Sequence, residues 1–315
     1  MEPRIAPSDP TKGLGILDLR HNVNFSNCQI VSNGAVLIAF TKDRQEVCFI
    51  FLKTGKPFSK VSIGEPISTF IYMETRKQLI CLGLSKIYQR SNRQSSSAAI
   101  SFRTSESKVI QITDNLVAAE NNQGLLIADI DTLSAKTILP ENKCQFTRAK
   151  INHYIVTLCH LNSKIVVIDA KTLSVALVIE TKKLDYYYLT NLSAFQGDHI
   201  LAYGYNEKGV NLRTFEFTKQ NGKMEIVAGK CYVPEKSSSN PFLLALGPDR
   251  GIVKFSMSDP VCLINIDDKT SKEVLFSCRH KVDLLYLSSD HKKGVGIENL
   301  SGDKITKRIM TLKLS

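Results

Sequence analysis

Residues 148–180, RAKINHYIVTLCHLNSKIVVIDAKTLSVALVIE, contain four short runs suited to β-strands with three polar turns between them. The runs are AKI, YIVTLC, KIVVID and SVALVIE. Asn152-His153, the 160–163 loop and Ala170-Lys171-Thr172 separate them. β-Branched and aliphatic side chains fit a pleated surface, whereas Asn, Asp, Ser and Lys satisfy local backbone at turns. The stretch predicts a four-stranded antiparallel meander. So small a sheet cannot bury its own apolar faces, so the pattern has to recur elsewhere in the chain.

It recurs seven times. With the strands of each unit named a to d, the a runs begin near Phe25, Thr69, Lys108, Gln145, Tyr187, Phe242 and Leu284. Their spacings are 44, 39, 37, 42, 55 and 42 residues, close to the ~40–45 of a four-stranded propeller blade. The b runs follow in order as AVLIAF, QLICLGL, LVAAE, YIVTLC, HILAYGY, GIVKFSM and GVGIEN. The expectation is an all-β chain, one domain over 1–315, folded as a seven-bladed β-propeller of four-stranded antiparallel blades.

The junction between strands c and d carries the clearest internal likeness. Ile168-Asp-Ala-Lys-Thr-Leu-Ser174 parallels Ile130-Asp-Thr-Leu-Ser134, Ile266-Asp-Asp-Lys-Thr-Ser271 and Leu52-Lys-Thr-Gly-Lys56. Asp and Thr bond nearby amides, and Gly accepts positive φ. Lone aspartates at these places, such as Asp129, Asp169 and Asp267, read as turn caps rather than as acids or bases. The order of b strand, loop, c strand, Asp-x-Lys-Thr turn and d strand resembles the WD-repeat and quinoprotein-type propellers. Leu246-Gly-Pro-Asp249 and Leu287-Ser-Ser-Asp290 resemble the turn before strand b in those repeats. The chain departs from the WD pattern in having no Trp, hence no Trp-Asp dipeptide, and no Gly-His pair opening a blade.

The last unit supplies a (LLYLSS), b (GVGIEN) and c (KRIMTLKLS) and then ends, one strand short. Residues 13–20, GLGILDLR, stand unassigned before the first a strand and are expected to close the last blade, removing an open sheet edge. Two polar, Ser-rich stretches interrupt the repeat: residues 85–97 and residues 230–241. Both are expected to be exposed loops, one between b and c of unit two, the other between d of unit five and a of unit six.

Chemistry-bearing motifs are scarce. A Gly-x-Ser-x-Gly elbow, a phosphate-binding Gly-x-x-x-x-Gly-Lys-Ser/Thr loop and a Cys-x-x-Cys pair do not occur. His153 and the Cys159-His160 pair fall at opposite ends of one strand, which speaks against joint metal ligation. No catalytic, cofactor or metal residue is therefore assigned. The eight cysteines are scattered, mostly in apolar runs, and are expected to be reduced and structural. No apolar run approaches the ~20 residues of a membrane span, and MEPRIAPSDPTKG lacks the apolar segment of a secretory leader. The expected location is the cytoplasm or nucleus.

A net charge of +11 favours acidic partners. In a propeller the b–c and d–a connections share one face. Both Ser-rich stretches are therefore expected there, together with Lys208 and the candidate partner-binding residues Lys86, Arg90, Arg93, Lys182, Lys183, Arg279 and Lys281. The leading expectation is a non-enzymatic scaffold or adaptor within an intracellular complex, contacting an acidic protein. The alternatives are a nucleic-acid or ribonucleoprotein component that binds phosphates through the same face, and a propeller enzyme with a central-channel site. In Lys182-Lys-Leu-Asp-Tyr-Tyr-Tyr188, packing of the tyrosines is favoured over base stacking.

Overall fold

A computed structural model describes residues 16–19, 23–32, 34–41, 43–84, 86–91, 95–99, 109–121, 124–138, 145–159, 163–194, 198–220, 223–234, 242–246, 250–254, 259–266, 272–276, 282–287, 293–300 and 306–313. They form seven four-stranded antiparallel sheets. Blade 1 is Val23–Val31, Val36–Thr41, Glu46–Phe51 and Pro57–Ser62, and blade 2 is Ile67–Met73, Gln78–Gly83, Lys86–Arg90 and Ser95–Ala99. Blade 3 is Val109–Gln111, Leu116–Asn121, Gly124–Asp129 and Ser134–Ile138, and blade 4 is Gln145–Ile151, Tyr154–Cys159, Lys164–Asp169 and Ser174–Glu180. Blade 5 is Tyr188–Ala194, His199–Asn206, Gly209–Gln220 and Lys223–Tyr232, and blade 6 is Phe242–Ala245, Arg250–Lys254, Val261–Asn265 and Lys272–Phe276. Blade 7 takes Val282–Leu287, Lys293–Leu300 and Thr306–Lys313 from the end of the chain, and its fourth strand, Ile16–Leu19, from the beginning. Ile16 faces Met310 and Leu19 faces Lys307 in that closing pair.

The chain is thus a seven-bladed propeller closed by its N-terminal strand. Each a strand begins within two residues of the position expected from the repeat. The a strands of successive blades lie against one another from blade 1 through blade 6, and blade 7 returns to blade 1.

Alternation in the inner strands explains the packing. In strand b of blade 1, Val36, Ile38 and Phe40 join a core shared with blade 2, while Leu37 and Ala39 join one shared with blade 7. In blade 4, Ile155 and Cys159 turn to blade 3, and Val156 and Leu158 turn to blade 5. Strand c of blade 4 divides the same way, Val166 and Ile168 against Ile165 and Val167. Side chains on a strand point alternately to its two faces, and here each face meets a neighbouring blade. These strands therefore read as unbroken apolar runs.

The c–d turns repeat atom for atom. In blade 3, Asp129 Oδ1 accepts the Asp131 and Thr132 N–H groups at 2.8 and 3.1 Å. In blade 4, Asp169 Oδ1 accepts those of Lys171 and Thr172 at 2.8 and 3.3 Å. Thr132 pairs with Ser134, and Thr172 with Ser174, each at 2.7 Å. Leu133 and Leu173 occupy the left-handed region at φ 52° and 53°, the place Gly55 takes in blade 1 at φ 67°. The structural counterpart of Asp169 is therefore Asp129. The sequence alignment, which paired Asp169 with Asp131, was out of register by two positions. The turns also dock on the preceding a–b turn of their own blade, with Ile130 N–H donating to Asn115 O, Ala170 N–H to His153 O and Leu52 N–H to Ala35 O.

Both expected insertions are corrected. Residues 86–90 and 95–99 are strands c and d of blade 2, not a loop. Ile87 is fully buried against blade 3, while the outer strand exposes Ser95, Ser96 and Ser97 and packs Ala98 on that core, so it carries little hydrophobic signal. In blade 5, residues 230–232 end the outer strand Lys223–Tyr232, and residues 235–241 lie outside the described residues. The long spacing of this unit resides largely in its c and d strands, 12 and 10 residues long. A third correction concerns the thiols. Cys28, Cys48, Cys81, Cys231 and Cys262 carry no disulfide, and burial pushes the Cys81 thiol up, but Cys159 is disulfide-bonded. Its other half lies outside the described residues.

Removing residues 1–20 will expose the Thr306–Lys313 edge, lower the melting temperature and promote aggregation. A truncated chain that melts like the full one would show that the closing strand contributes nothing. Alkylation of the denatured, unreduced protein, read by mass, will modify at most six of the eight cysteines. Eight modified thiols would show that the Cys159 disulfide does not form in solution.

Candidate functional site

The connection from blade 4 to blade 5 is built as a rigid corner. Thr181–Leu184 forms a single 3₁₀ turn that ends at Asp185 in the left-handed conformation, φ 64°. Asp185 N–H donates to Lys182 O at 3.1 Å, Tyr186 N–H to Thr181 O at 3.1 Å, and Thr181 N–H to Ser163 O at 2.8 Å. The Asp185 carboxylate then accepts the Asn206 amide at 3.1 Å and the Arg213 guanidinium at 3.2 Å. Arg213 also donates to Leu184 O at 3.5 Å. The d–a connection is thereby tied to the b–c hairpin of blade 5. The same face is joined at blade 1, where Ile67 N–H donates to Arg44 O at 2.8 Å.

The three consecutive tyrosines divide their roles. Tyr186 is buried between blades 4 and 5, and its hydroxyl donates to Ala202 O at 3.3 Å. Burial pushes its pKa up, so it stays neutral. Its ring leaves no room for a side chain at residue 204. A Cβ on Gly204 would lie 2.8 Å from the Tyr186 ring and 2.4 Å from Tyr188 O. Tyr187 and Tyr188 are 53% and 49% exposed. Tyr187 N–H donates to Tyr205 O, and its hydroxyl donates to Glu207 at 2.6 Å, which raises its pKa.

Around this corner Lys182, Lys183 and Lys208 are exposed, and among the described residues none forms an ion pair. Lys208 N–H is bonded to Asn206 Oδ1 at 2.9 Å, which fixes the turn that presents it. The result is a small surface of three cations beside two half-open phenol rings, held on a pinned backbone. The expectation that the tyrosines pack holds for Tyr186. The sequence had Lys208 on the same face as Lys182 and Lys183, but it missed that Tyr187 and Tyr188 face out beside them. Lys208 lies 25 residues beyond Lys183, and the bonds of Asp185 with Asn206 and of Tyr187 with Tyr205 and Glu207 bring the two connections together.

The other sequence candidates do not form one patch with this corner. Lys86 is exposed at the start of strand c of blade 2, on the b–c/d–a face but with blade 3 intervening. Arg90 is a correction. It ends that strand, opposite Leu79, and so stands on the a–b/c–d face. Reading residues 85–97 as one b–c loop had placed it wrongly. Arg93, Arg279 and Lys281 lie outside the described residues. On the a–b/c–d face Arg76 pairs with Asp131 at 2.6 Å, tying blade 2 to blade 3. No group of three His, Cys, Asp or Glu residues able to hold a metal occurs among the described residues. His153 and Cys159 sit at opposite ends of one strand.

A search of family models finds no match, and neither does a search of curated protein sequences. Solved structures do match across most of the chain. The β-propeller domain of Cps50 (Swd1) from Myceliophteria thermophila has a TM-score of 0.64 at 9% identity, over 94% of this chain and 99% of that one. Streptogramin B lyase has a TM-score of 0.62 at 8% identity, over 97% and 100%. The N-terminal domain of Nup159 has a TM-score of 0.50 at 11% identity, over 97% and 98%. At such identities the likeness establishes the fold: the protein is a β-propeller. Propellers of this shape include a lyase, so shape alone does not assign a reaction.

Replacing Asp185 by Ala removes the acceptor shared by Asn206 and Arg213 and places a non-Gly, non-Asp residue at positive φ. The expected loss of stability is roughly 1–3 kcal/mol, measured by denaturant unfolding. A loss within experimental error would show that the corner is not held by this carboxylate.

Proposed function

We propose that this propeller is a non-enzymatic interaction subunit that docks an acidic protein on its b–c/d–a face, through Lys182, Lys183 and Lys208 with Tyr187 and Tyr188 beside them. The observation that carries the reading is the pinned corner itself. Unpaired cations and half-exposed tyrosines are held on a backbone fixed by at least five hydrogen bonds. A preorganised surface loses little conformational entropy on binding. Tyrosine offers large contact area with few rotatable bonds, and the lysines steer an acidic partner into register. The fold supplies the rest, because a closed ring of short connections is a stiff platform.

A second reading is favoured by the same residues. Exposed phenol rings beside cations suit stacking and neutralising single-stranded nucleic acid. The two readings separate by salt dependence: phosphate-driven binding weakens steeply as salt rises, with a slope set by the number of phosphates neutralised.

The test compares affinity purification with the native chain and with the Lys182→Glu, Lys183→Glu, Lys208→Glu variant. All three side chains are exposed, so the variant is expected to fold normally. It will lose the principal protein partner by about tenfold or more in affinity. Retention of every partner would remove this corner from the interface. Partners released by nuclease treatment would favour the nucleic-acid reading.

A further inference from the structure

A cavity of about 310 Å³ opens on the opposite, a–b/c–d, face between blades 1 and 2. Blade 1 contributes Phe49, Phe58 and Val61 to it, and blade 2 contributes Tyr72 and Leu79. Phe49 meets Tyr72 edge-on at 5.7 Å and Phe58 at 6.1 Å. Phe58 in turn stacks on Phe51, with ring centroids 4.0 Å apart and planes 24° apart. The floor of this cluster belongs to the core between the two blades, where Val47, Val61, Phe70 and Leu79 are buried. Its outer part does not. Phe51 and Phe58 are 44% and 49% exposed, on strands whose inward contacts the core already satisfies.

The lip of the cavity is cationic. Lys77, at the a–b turn of blade 2, and Arg90, at the end of its strand c, both line it. Among the described residues no carboxylate lines the cavity and neither cation forms an ion pair. Glu74, in the same a–b turn as Lys77, is engaged by the Ser32 N–H. The groove thus combines an apolar, aromatic floor with an edge on which two cations stand against the Glu74 carboxylate nearby, already engaged by the Ser32 N–H. Its volume falls at the lower end of the about 300–1,000 Å³ typical of ligand pockets, suited to one large side chain and its neighbours rather than to a domain.

We infer that this groove docks a short extended peptide segment of a partner protein. An aromatic or aliphatic side chain of the peptide inserts beside Phe49 and Tyr72, and a nearby Asp or Glu is held by Arg90 and Lys77. Charge complementarity selects the carboxylate, since a basic peptide would meet Arg90 and Lys77 with no anion between them. Ring geometry argues against nucleic acid. Base stacking needs open ring faces along a cationic track, but Phe51 and Phe58 each turn one face to the other, Phe49 is engaged in edge contacts, and the cations stand at one lip. The site lies on different blades and a different face from the lysine corner, so it stands or falls independently of it.

The experiment pans a phage library of random dodecapeptides on the intact chain, then measures the best synthetic peptide by fluorescence anisotropy against the native chain, Phe58→Ser and Arg90→Glu. Both substituted side chains are at least partly exposed, and each variant is first checked by thermal melting. The expected result is enrichment of peptides that place Phe, Leu or Ile near Asp or Glu. Each variant should bind about tenfold more weakly, and Arg90→Glu should abolish the preference for acidic peptides. Enrichment of basic sequences, affinity unchanged in both variants, or displacement of the peptide by an oligothymidylate would overturn the proposal. So would native-chain dimerisation that Phe58→Ser abolishes, because the occupant would then be a second copy.

Discussion

The structure depends on one constraint: every inner strand must bury both of its faces, one against the blade before it and one against the blade after it. An isolated four-stranded meander has no way to do this. Ile38 and Leu37 are adjacent in sequence and both fully buried, yet they belong to different cores. Each blade is thus the solvent shield of its neighbours, and the described cores form between blades rather than within them. Closure follows from the same requirement. A ring without a complete last blade would leave one apolar sheet face and one strand edge in water, and Ile16–Leu19 completes that blade from the far end of the chain.

The outer strands obey a weaker rule. Ser95–Ala99 exposes its three serines, and in Ser174–Glu180 only Ile179 is buried, while Val175 and Val178 lie open. An outer strand needs backbone pairing with strand c but little side-chain burial, so its composition is nearly free. The turns on either side are constrained in a different way. Asp129 and Asp169 bond the amides two and three residues on, while Leu133 and Leu173 sit at positive φ. For a bulky side chain this conformation is costly, and it is maintained by the hydrogen bonds that dock each turn on its own a–b turn.

The two faces of the ring consequently differ in character. The a–b/c–d face is laced across blades by side chains, as in the contacts of Arg76 with Asp131 and Asn152 with Asp198. The aromatic groove between blades 1 and 2 opens on this face, with Lys77 and Arg90 at its lip. The b–c/d–a face is tied mainly by backbone and by Asp185, and Lys182, Lys183 and Lys208 form no ion pair there among the described residues. One disc therefore presents two chemically distinct surfaces, one with exposed lysines and half-open tyrosines, the other concave and aromatic with a cationic lip.

The blade count, the inner strands and ring closure were legible in the sequence because burial on both faces writes itself as apolar runs at a regular spacing. Turn chemistry was legible too, though with a slip of two positions, since Asp131 is as good an Asx residue as Asp129 and only the hydrogen bonds tell them apart. The c and d strands of blade 2 were not legible: KIYQR and SSSAA have no apolar run, and their strand character comes from pairing with Gln78–Gly83 and with each other. That misreading carried Arg90 to the wrong face. The groupings that make sites were decided only by the fold. Lys208 joins Lys182 and Lys183 because Asp185 reaches Asn206 and Tyr187 reaches Tyr205 and Glu207, and Phe49, Tyr72 and Arg90 meet because blades 1 and 2 lie side by side. Local sequence determines which segments are strands when their faces must be buried. Which surface residues become neighbours is determined by pairing between segments far apart in the chain, and no local pattern records it.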